Sequence, residues 1–356
     1  MTLDIPFPWF GGKSRVAPLV WSRFGNVPNY VEPFFGSGAI LFGRAGESGI
    51  ETVNDLDGFI ANFWRAIQQA PEETAYWADW PVNENDLHAR HLWLRARRTE
   101  LSRRLEADPN YCDPKIAGWW VWGISCWIGR GWCDPNTRGP WQVQDGMFVM
   151  GNEHGVSRRR PHLGDGGRGL NRQLPHLSDA GMGVKRQRPH LTGAGMGVNR
   201  QIQKISGWFT ALSSRLRCVR VCCGDWLRVL GPSPTEKIGM TGVFLDPPYS
   251  LQANRDEALY ASDDLHVAHD VREWAIANGD NRMLRIALCG YEGEHQMPES
   301  WECIAWKATG GYANLGNNRG KENCQRERIW FSPYCMKQNW LFEPHEIYAG
   351  RENQAE

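Results

Sequence analysis

The sequence predicts an α/β fold: a Rossmann-like, doubly wound, mostly parallel twisted sheet that carries an inserted region. Two short strands, at residues 30–31 and 51–55, are separated by a glycine turn and followed by an apolar-periodic helix from about Gly58 to Gln69. This order is the beginning of a βαβ unit, which requires parallel strands. Further strands are predicted at residues 218–222, 243–245, 284–288 and 328–331. Ligands of such sheets bind beyond the carboxyl ends of the strands.

The turn after the first strand has the sequence EPFFGSG, at residues 32–38. Glycines such as Gly36 and Gly38 let the backbone approach a ligand closely, as in nucleotide sites. Asp55 ends the next strand, at the place where an acid of such folds binds ribose hydroxyls. The alternative roles are a helix cap for Asp55 and an N-cap of a following turn for Asp225.

The most informative stretch is DPPY, at residues 246–249, directly after the apolar strand 243–245. Prolines fix φ and lack a backbone donor, so this turn is stiff and its carbonyl groups stay free to accept hydrogen bonds. Asp246 and the Pro247 carbonyl can face one amino group while Tyr249 lies flat against a ring. That arrangement suits the exocyclic NH2 of a nucleobase, with a plain turn as the alternative.

Composition limits the class of protein. The chain has 356 residues, enough for one large domain or two modest ones, and its 40 Lys+Arg balance its 40 Asp+Glu. It has no signal-peptide pattern and no apolar run of membrane-spanning length, which predicts a soluble, non-secreted protein. Ten scattered cysteines without a C-x-x-C pair favour reduced thiols. No metal is predicted; the alternative is an irregular metal site of Cys112, Cys126, Cys133 and His154.

Basic residues concentrate in two segments. Residues 151–205 contain ten Lys and Arg against three Asp and Glu, and a second basic stretch occupies residues 90–104. Such patches are typical of phosphate-backbone contacts, although a solvated helix face explains the second stretch equally well. The candidate DNA contacts in the first segment are Arg158, Arg159, Arg160, Arg172, Arg186 and Arg200.

Residues 161–201 contain a repeat in which the triplet Pro-His-Leu begins at positions 161, 175 and 189. Three copies in register indicate a true repeat. Segments rich in Gly, Pro and Arg bury little apolar surface, which predicts a loop-rich insertion. DNA-backbone tracking and a surface expansion without a role are both open. The preceding tryptophan-dense run, residues 119–132, favours core packing over base stacking.

Four motifs occur in a fixed order: WFGGK at 9–13, EPFxGxG at 32–38, Asn54-Asp55 and DPPY at 246–249. With them the chain resembles the Dam-like, D12 class DNA adenine-N6 methyltransferases, over about residues 1–70 and 205–335. The resemblance implies a class I methyltransferase fold, S-adenosyl-L-methionine (AdoMet) as cofactor and double-stranded DNA as partner. It implies a catalytic domain of residues 1–70 and 206–335, a target-recognition insertion of 71–205 and a tail of 336–356.

The resemblance also implies roles for the matching residues. The residues that border the methionine end of AdoMet are Trp9, Phe10, Gly12 and Lys13. The cofactor loop consists of Glu32, Phe34, Gly36 and Gly38, with Asp55 on the ribose and Asp225 and Trp226 at the adenine. The residues that hold the target base are Asp246, Pro247, Pro248 and Tyr249. Asn136 and Arg138 lie where the family has its DNA-contacting loop.

The residues themselves favour the same chemistry. An aromatic amine is a poor nucleophile because its lone pair is delocalised into the ring. Hydrogen-bond acceptors on both of its N–H bonds free that lone pair. The methyl transfer is then an in-line displacement, which is helped chiefly by orientation. The absence of a Pro-Cys dipeptide argues against cytosine-C5 methylation. Cytosine-N4 methylation, a non-catalytic DNA-binding protein on this scaffold, and methylation of RNA or protein amides remain open. We expect a cytoplasmic location in a bacterium or phage-infected cell, no membrane and no obligate protein partner.

Overall fold

The computed structural model describes residues 3–7, 13–46, 49–127, 132–134, 141–144, 147–150, 198–249, 267–306 and 326–337. Within these ranges the chain forms one seven-stranded sheet covered by helices, with a separate two-stranded hairpin. The predicted α/β class is therefore confirmed, and the mostly parallel sheet with its covering helices is Rossmann-like.

The large sheet has the strand order β5-β2-β1-β6-β7-β9-β8. Its strands are β1 (Asn29–Glu32), β2 (Ile50–Asp55), β5 (Val219–Cys223), β6 (Thr241–Leu245), β7 (Leu284–Tyr291), β8 (Glu302–Ala305) and β9 (Glu327–Phe331). The first five in spatial order are parallel, whereas β9 runs antiparallel to both β7 and β8. The hairpin pairs β3 (Trp141–Gln144) with β4 (Met147–Met150).

Helices connect and cover the strands. They are α1 (Ala17–Phe24), α2 (Ala39–Phe42), α3 (Gly58–Gln69), α4 (Pro71–Ala78), α5 (Glu84–Arg95), α6 (Arg98–Ala107), α7 (Pro114–Cys126), α8 (Val198–Leu216) and α9 (Val267–Asn278). Asp57 caps α3 by accepting a bond from the Phe59 amide, and Asp113 caps α7 in the same way from Ile116. Both caps satisfy backbone donors that a helix start leaves unpaired.

The two faces of the sheet bury different clusters. In β6, Phe244 belongs to a large cluster with Phe63 and Trp64 of α3. Its neighbours Val243 and Leu245 belong to a second cluster on the other face. Side chains of a strand alternate between faces, so a fully buried strand such as β6 requires cover on both sides.

Most predicted elements are confirmed. The strands at 51–55, 218–222, 243–245, 284–288 and 328–331 match β2, β5, β6, β7 and β9 closely, and the helix at Gly58–Gln69 is α3. β8 and the hairpin were not predicted. α8 begins at Val198, inside the third copy of the repeat. The prediction of a loop-rich segment is therefore wrong for residues 198–201.

Helices of the predicted insertion pack close to the sheet. α7 packs on α3 and α4, and α4 packs on α8. Among the tryptophans of the dense run, Trp120, Trp122, Trp127 and Trp132 are buried, which confirms core packing for these four. The division of the chain into a catalytic domain and an insertion stays a prediction. Among the helices of the described ranges, none is long and apolar enough to cross a membrane.

Candidate active site

The carboxyl ends of β1, β2 and β6 meet at one edge of the sheet. The chain leaves β1 for its neighbour β2, and later returns to the opposite side of β1 as β6. Ligands of open α/β sheets bind at such a reversal of strand order. Glu32 ends β1, Asp55 ends β2 and Asp246 directly follows β6. The structure thus brings three predicted acids to this edge.

The turn between β1 and α2 depends on its glycines. Gly36 and Gly38 have φ angles of 49° and 73°, in the left-handed region that favours glycine. A Cβ atom on Gly38 would lie 2.7 Å from the Phe42 ring and 2.8 Å from the Phe35 ring. The indole of the fully buried Trp64 donates to the Gly36 carbonyl oxygen at 2.8 Å. The turn is therefore fixed, with its backbone close to the strand ends.

Asp55, at the end of β2, holds this turn by a hydrogen bond. Its Oδ2 accepts the Gly36 amide and its Oδ1 accepts the Asp57 amide, each at 2.9 Å. Because Asp57, and not Asp55, caps α3, the alternative of Asp55 as that helix cap is wrong. Burial raises the pKa of the Asp55 carboxyl to about 7, against the lowering effect of the two amide bonds. Asp55 therefore changes charge near neutral pH.

Glu32 is a buried acid at the end of β1. Only 2 % of the residue is exposed, and its Oε2 accepts the Tyr30 hydroxyl at 2.8 Å. Burial raises the pKa of the Glu32 carboxyl well above its usual value, and the nearby charge of Asp246 raises it further. The bond from Tyr30 acts in the opposite direction.

Two aromatic rings that follow β1 and β5 stack on each other. Phe34 and Trp226 stack with ring centroids 6.2 Å apart and an angle of 29° between their planes. Asp225 accepts the Leu227 amide at 2.8 Å and thereby caps the short 3-10 helix Trp226–Val229. The capping alternative for Asp225 is thus confirmed, while its predicted contact with a cofactor adenine stays a prediction.

Asp246 is held by a lysine from the beginning of the chain. The Lys13 ammonium lies 3.1 Å from Asp246 Oδ1, and Lys13 is 7 % exposed while the Asp246 side chain is 20 % exposed. Lys13 also donates to the Tyr249 hydroxyl at 2.9 Å. The sequence suggested Lys13 only as a neighbour of the cofactor. Its pairing with the DPPY segment is the main new feature of the site.

Tyr249 lies inward from Asp246. Its hydroxyl donates to Glu327 Oε2 at 2.7 Å, and its ring meets the Tyr291 ring edge-to-face with centroids 4.5 Å apart. Tyr249 is only 8 % exposed. Stacking of a target base on this ring, which the sequence predicts, therefore requires that a ring face open to the ligand.

Sequence reasoning missed Glu327 and Tyr291. Glu327 begins β9, Tyr291 ends β7, and the two residues pair across the antiparallel ladder. Only 3 % of Glu327 is exposed, and burial raises the pKa of its carboxyl. A charged residue at the first position of an apolar strand was the available signal, but such a position is commonly solvated.

Part of the second basic stretch has a structural role. Arg90 is buried against the rings of Trp80, Trp119 and Trp122, with its guanidinium 4.3 Å from the Trp122 centroid. Arg98 pairs with Asp57 at 3.2 Å. These two arginines stabilise the packing of α5 and α6 and are poor candidates for phosphate contacts.

Several predicted site residues lie outside the described ranges. They are Trp9, Phe10, Gly12, Asn136, Arg138, Arg158, Arg159, Arg160, Arg172 and Arg186. Arg200 is described only as part of the backbone of α8. His154 of the alternative metal site is outside as well, and the described residues contain no cluster of His, Cys, Asp and Glu suited to a metal ion. The roles proposed for these residues stay predictions.

Residues 9–109 match the family model described as "D12 class N6 adenine-specific DNA methyltransferase". The D12 resemblance is confirmed. The match indicates a DNA adenine-N6 methyltransferase. AdoMet is the cofactor expected in general for a methyltransferase family. A comparison with curated proteins gave no match.

The matched range contains the glycine turn, Asp55 and Lys13, and it runs past residue 70 into α4, α5 and α6. Asp246 and Tyr249 lie beyond it. Their roles rest on the DPPY motif and on the position that the fold gives them.

Proposed function

We propose that this D12 chain transfers a methyl group from AdoMet to the N6 amine of an adenine that is flipped out of duplex DNA. One observation carries the proposal: Asp246, held by Lys13 at 3.1 Å, follows β6 at the same sheet edge as the glycine turn and Asp55. A methyl donor and an amine acceptor could therefore meet at this edge.

The described residues fit AdoMet. A Cβ atom on Gly38 would meet the Phe35 and Phe42 rings, so glycine at this position lets the turn stay close to the strand ends where a ligand would bind. Asp55 offers carboxylate oxygens to ribose hydroxyls, and the stacked rings of Phe34 and Trp226 suit the edge or face of an adenine. When ionised, the carboxyl groups at the strand ends favour a cationic sulfonium. When bound, AdoMet supplies an electrophilic methyl group.

The DPPY segment suits the activation of an amine. Asp246 and the Pro247 carbonyl, each accepting one N–H bond, would draw the nitrogen toward sp³ geometry and free its lone pair. Pro247 is buried and Pro248 half-buried, which keeps this turn stiff. Because Lys13 binds Asp246, the acid is oriented before substrate arrives, and such preorganisation is a major part of catalysis.

The position of this segment supports base flipping. The Asp246 side chain is 20 % exposed at the end of a strand, and we infer that an amine reaches it only after leaving the duplex. Extruding an adenine costs a few kcal/mol, and stacking on an aromatic ring offsets part of that cost. Tyr249 is the ring we assign to this contact, once one of its faces is open to the base.

The decisive experiment uses purified protein, methyl-labelled AdoMet and unmethylated duplex DNA, with the product nucleosides resolved by mass spectrometry. We expect label in N6-methyladenine, and none with the Asp246→Ala variant. Asp246→Ala should still bind AdoMet in calorimetry, because Asp246 is not one of the predicted cofactor contacts. Fluorescence of 2-aminopurine at the mapped target then tests flipping.

Other outcomes are equally informative. Label in N4-methylcytosine would move the function to the cytosine alternative, since DPPY can activate any exocyclic amine. Absence of label with AdoMet still bound would favour a DNA-binding protein on a methyltransferase scaffold. Unchanged turnover in Asp246→Ala would disprove the role that we assign to Asp246.

A further inference from the structure

Glu327 is a buried acid that the D12 motifs leave without a role. It lies at the first position of β9, and its Oε2 accepts the Tyr249 hydroxyl at 2.7 Å. The same oxygen is 3.7 Å from the Lys13 ammonium. A buried carboxylate is costly unless it is paired, so this position requires both partners.

The antiparallel part of the sheet fixes Glu327 relative to Tyr249. β9 pairs with β7, and Glu327 lies opposite Tyr291. The Tyr291 ring packs edge-to-face on the Tyr249 ring at an angle of 71°. Tyr249 is therefore held by its ring through β7 and by its hydroxyl through β9.

Lys13 connects Tyr249 and Glu327 to Asp246 at the carboxyl edge of the sheet. It lies between two carboxylates, at 3.1 Å from Asp246 and 3.7 Å from Glu327. Burial raises the pKa of Glu327, and the Lys13 charge and the bond from Tyr249 oppose that rise. The charge of Asp246 raises it further. Burial raises the pKa of the Cys289 thiol of β7, and the charge of Asp246 raises it further.

We propose that Glu327 is a positioning residue for methyl transfer, which acts by holding the Tyr249 hydroxyl and so fixes the DPPY segment. This inference rests on the proposed function. The bond from Tyr249 Oη to Glu327 joins a rigid strand to a short turn, so its loss frees the turn. Small displacements of a reacting group cost large factors in rate.

Two substitutions separate the hydrogen bond from the charge. In Glu327→Gln the amide oxygen can still accept the Tyr249 hydroxyl, whereas Glu327→Ala removes the acceptor. We expect Glu327→Ala to lower kcat about 100-fold. We expect Glu327→Gln to stay within about tenfold of wild type. The matched control is Glu292→Gln, which removes an exposed carboxylate that pairs with Arg328 just beyond β7 and should leave kcat unchanged.

A double-mutant cycle with Tyr249→Phe tests the path of the effect. If Glu327 acts through the hydroxyl, Glu327→Ala should cost about tenfold less in the Phe background than in the Tyr background. The dissociation constant of AdoMet should stay constant across the cycle, which a general loss of folding would change. Equal costs of Glu327→Ala in both backgrounds would overturn the inference. So would a kcat of Glu327→Gln as low as that of a folded Glu327→Ala variant.

The two proposals fail in different ways. Wild-type protein that forms no N6-methyladenine would contradict the proposed function before any variant is made. Active wild-type protein with an additive cycle would contradict only the role of Glu327. Thermal unfolding of each variant identifies any that does not fold, and the kcat of Glu327→Gln then carries the test.

Discussion

Lys13 Nζ lies 3.1 Å from Asp246 Oδ1, so a residue of the short 3-10 turn Lys13–Arg15 orients the acid that follows β6. Both groups are largely shielded from water, and Glu327 completes the cluster on the inner side. Two carboxylates share one ammonium, with the Tyr249 hydroxyl between them. Removing the lysine would leave buried negative charge without its counterion, and this gives the first prediction.

Lys13→Met should lower both activity and stability. Breaking a buried ion pair from one side costs about 3 kcal/mol in the free energy of unfolding. Loss of Lys13 raises the pKa of Glu327 further, because the ammonium currently lowers it. A raised carboxyl pKa in the folded state means that stability falls as pH rises above the unfolded pKa. The deficit should therefore be larger at pH 8 than at pH 5.

Urea unfolding at both pH values measures this deficit. Arg15→Met is the matched control, because Arg15 lies in the same turn and is exposed. A deficit that does not change with pH would mean that the lysine stabilises the fold by packing and not by pairing the carboxylates.

The proposed contact of Asp55 with AdoMet predicts that AdoMet binding depends on pH. Its pKa is raised to about 7 by burial, so the carboxyl is mostly protonated at pH 6 and mostly ionised at pH 8. Ionised oxygens are the better acceptors for ribose hydroxyls. We expect the affinity for AdoMet to rise about tenfold between pH 6 and pH 8, in proportion to the ionised fraction.

Calorimetric titration at the two pH values tests the role of Asp55. Asp55→Asn should bind more weakly and show a much flatter pH dependence. The exposed Asp280→Asn is the control and should retain the wild-type profile. An Asp55→Asn variant with an unchanged profile would assign the titration to another acid at the strand ends.

The sequence predicts the site at the carboxyl edge of the sheet wherever a distinctive local motif is present. Glycines at 36 and 38 and the DPPY segment are unusual in any strand end, and their order along the chain predicts a parallel sheet that brings them together. Apolar runs also predict β6, β7 and β9, which lie inside the sheet and are largely buried.

The pairing of strands that are distant along the chain could not be predicted from the sequence. Glu327 meets Tyr249 and Lys13 only because β9 inserts antiparallel beside β7. No local pattern specifies that pairing, and β8, whose residues are mostly exposed or half-buried, has no apolar signature. Likewise, α4 to α7 carry basic and tryptophan-rich segments, which suggested a separate DNA-binding region. The buried contacts of Arg90 and Trp122 appear only once these helices pack.

Trp64 anchors the glycine turn through one hydrogen bond. Trp64→Phe keeps an aromatic ring but leaves the Gly36 carbonyl without its indole donor and creates a small cavity. We expect the free energy of unfolding to fall by about 2–4 kcal/mol. We also expect weaker AdoMet binding, because the turn is no longer fixed. Denaturant unfolding and calorimetry measure the two effects.

A second buried tryptophan provides the control for this effect. Trp132 donates its indole N–H, at 3.0 Å, to the carbonyl oxygen of Trp120, which lies in α7. Trp132→Phe should lower stability by a similar amount and leave AdoMet affinity unchanged. Equal losses of AdoMet affinity in both variants would show that the effect comes from general destabilisation.

The repeat can be removed without cutting α8. Deleting residues 161–197 leaves the helix, which begins at Val198 and enters the core with Ile205 and Phe209. The deleted segment contains the basic residues Arg168, Arg172, Lys185, Arg186 and Arg188. If these contact phosphates, DNA affinity should fall, and the slope of log K against log salt should decrease by up to about 4. AdoMet affinity should not change.

Charge and length are separated by a second variant, in which the same five basic residues become Gln within the intact repeat. DNA-backbone tracking predicts that this variant reproduces the loss of affinity and the reduced salt dependence of the deletion. A deletion that binds DNA with unchanged affinity and unchanged slope would identify the repeat as a surface expansion without a DNA role. A loss in the deletion alone would mean that the length of the segment matters and its charge does not.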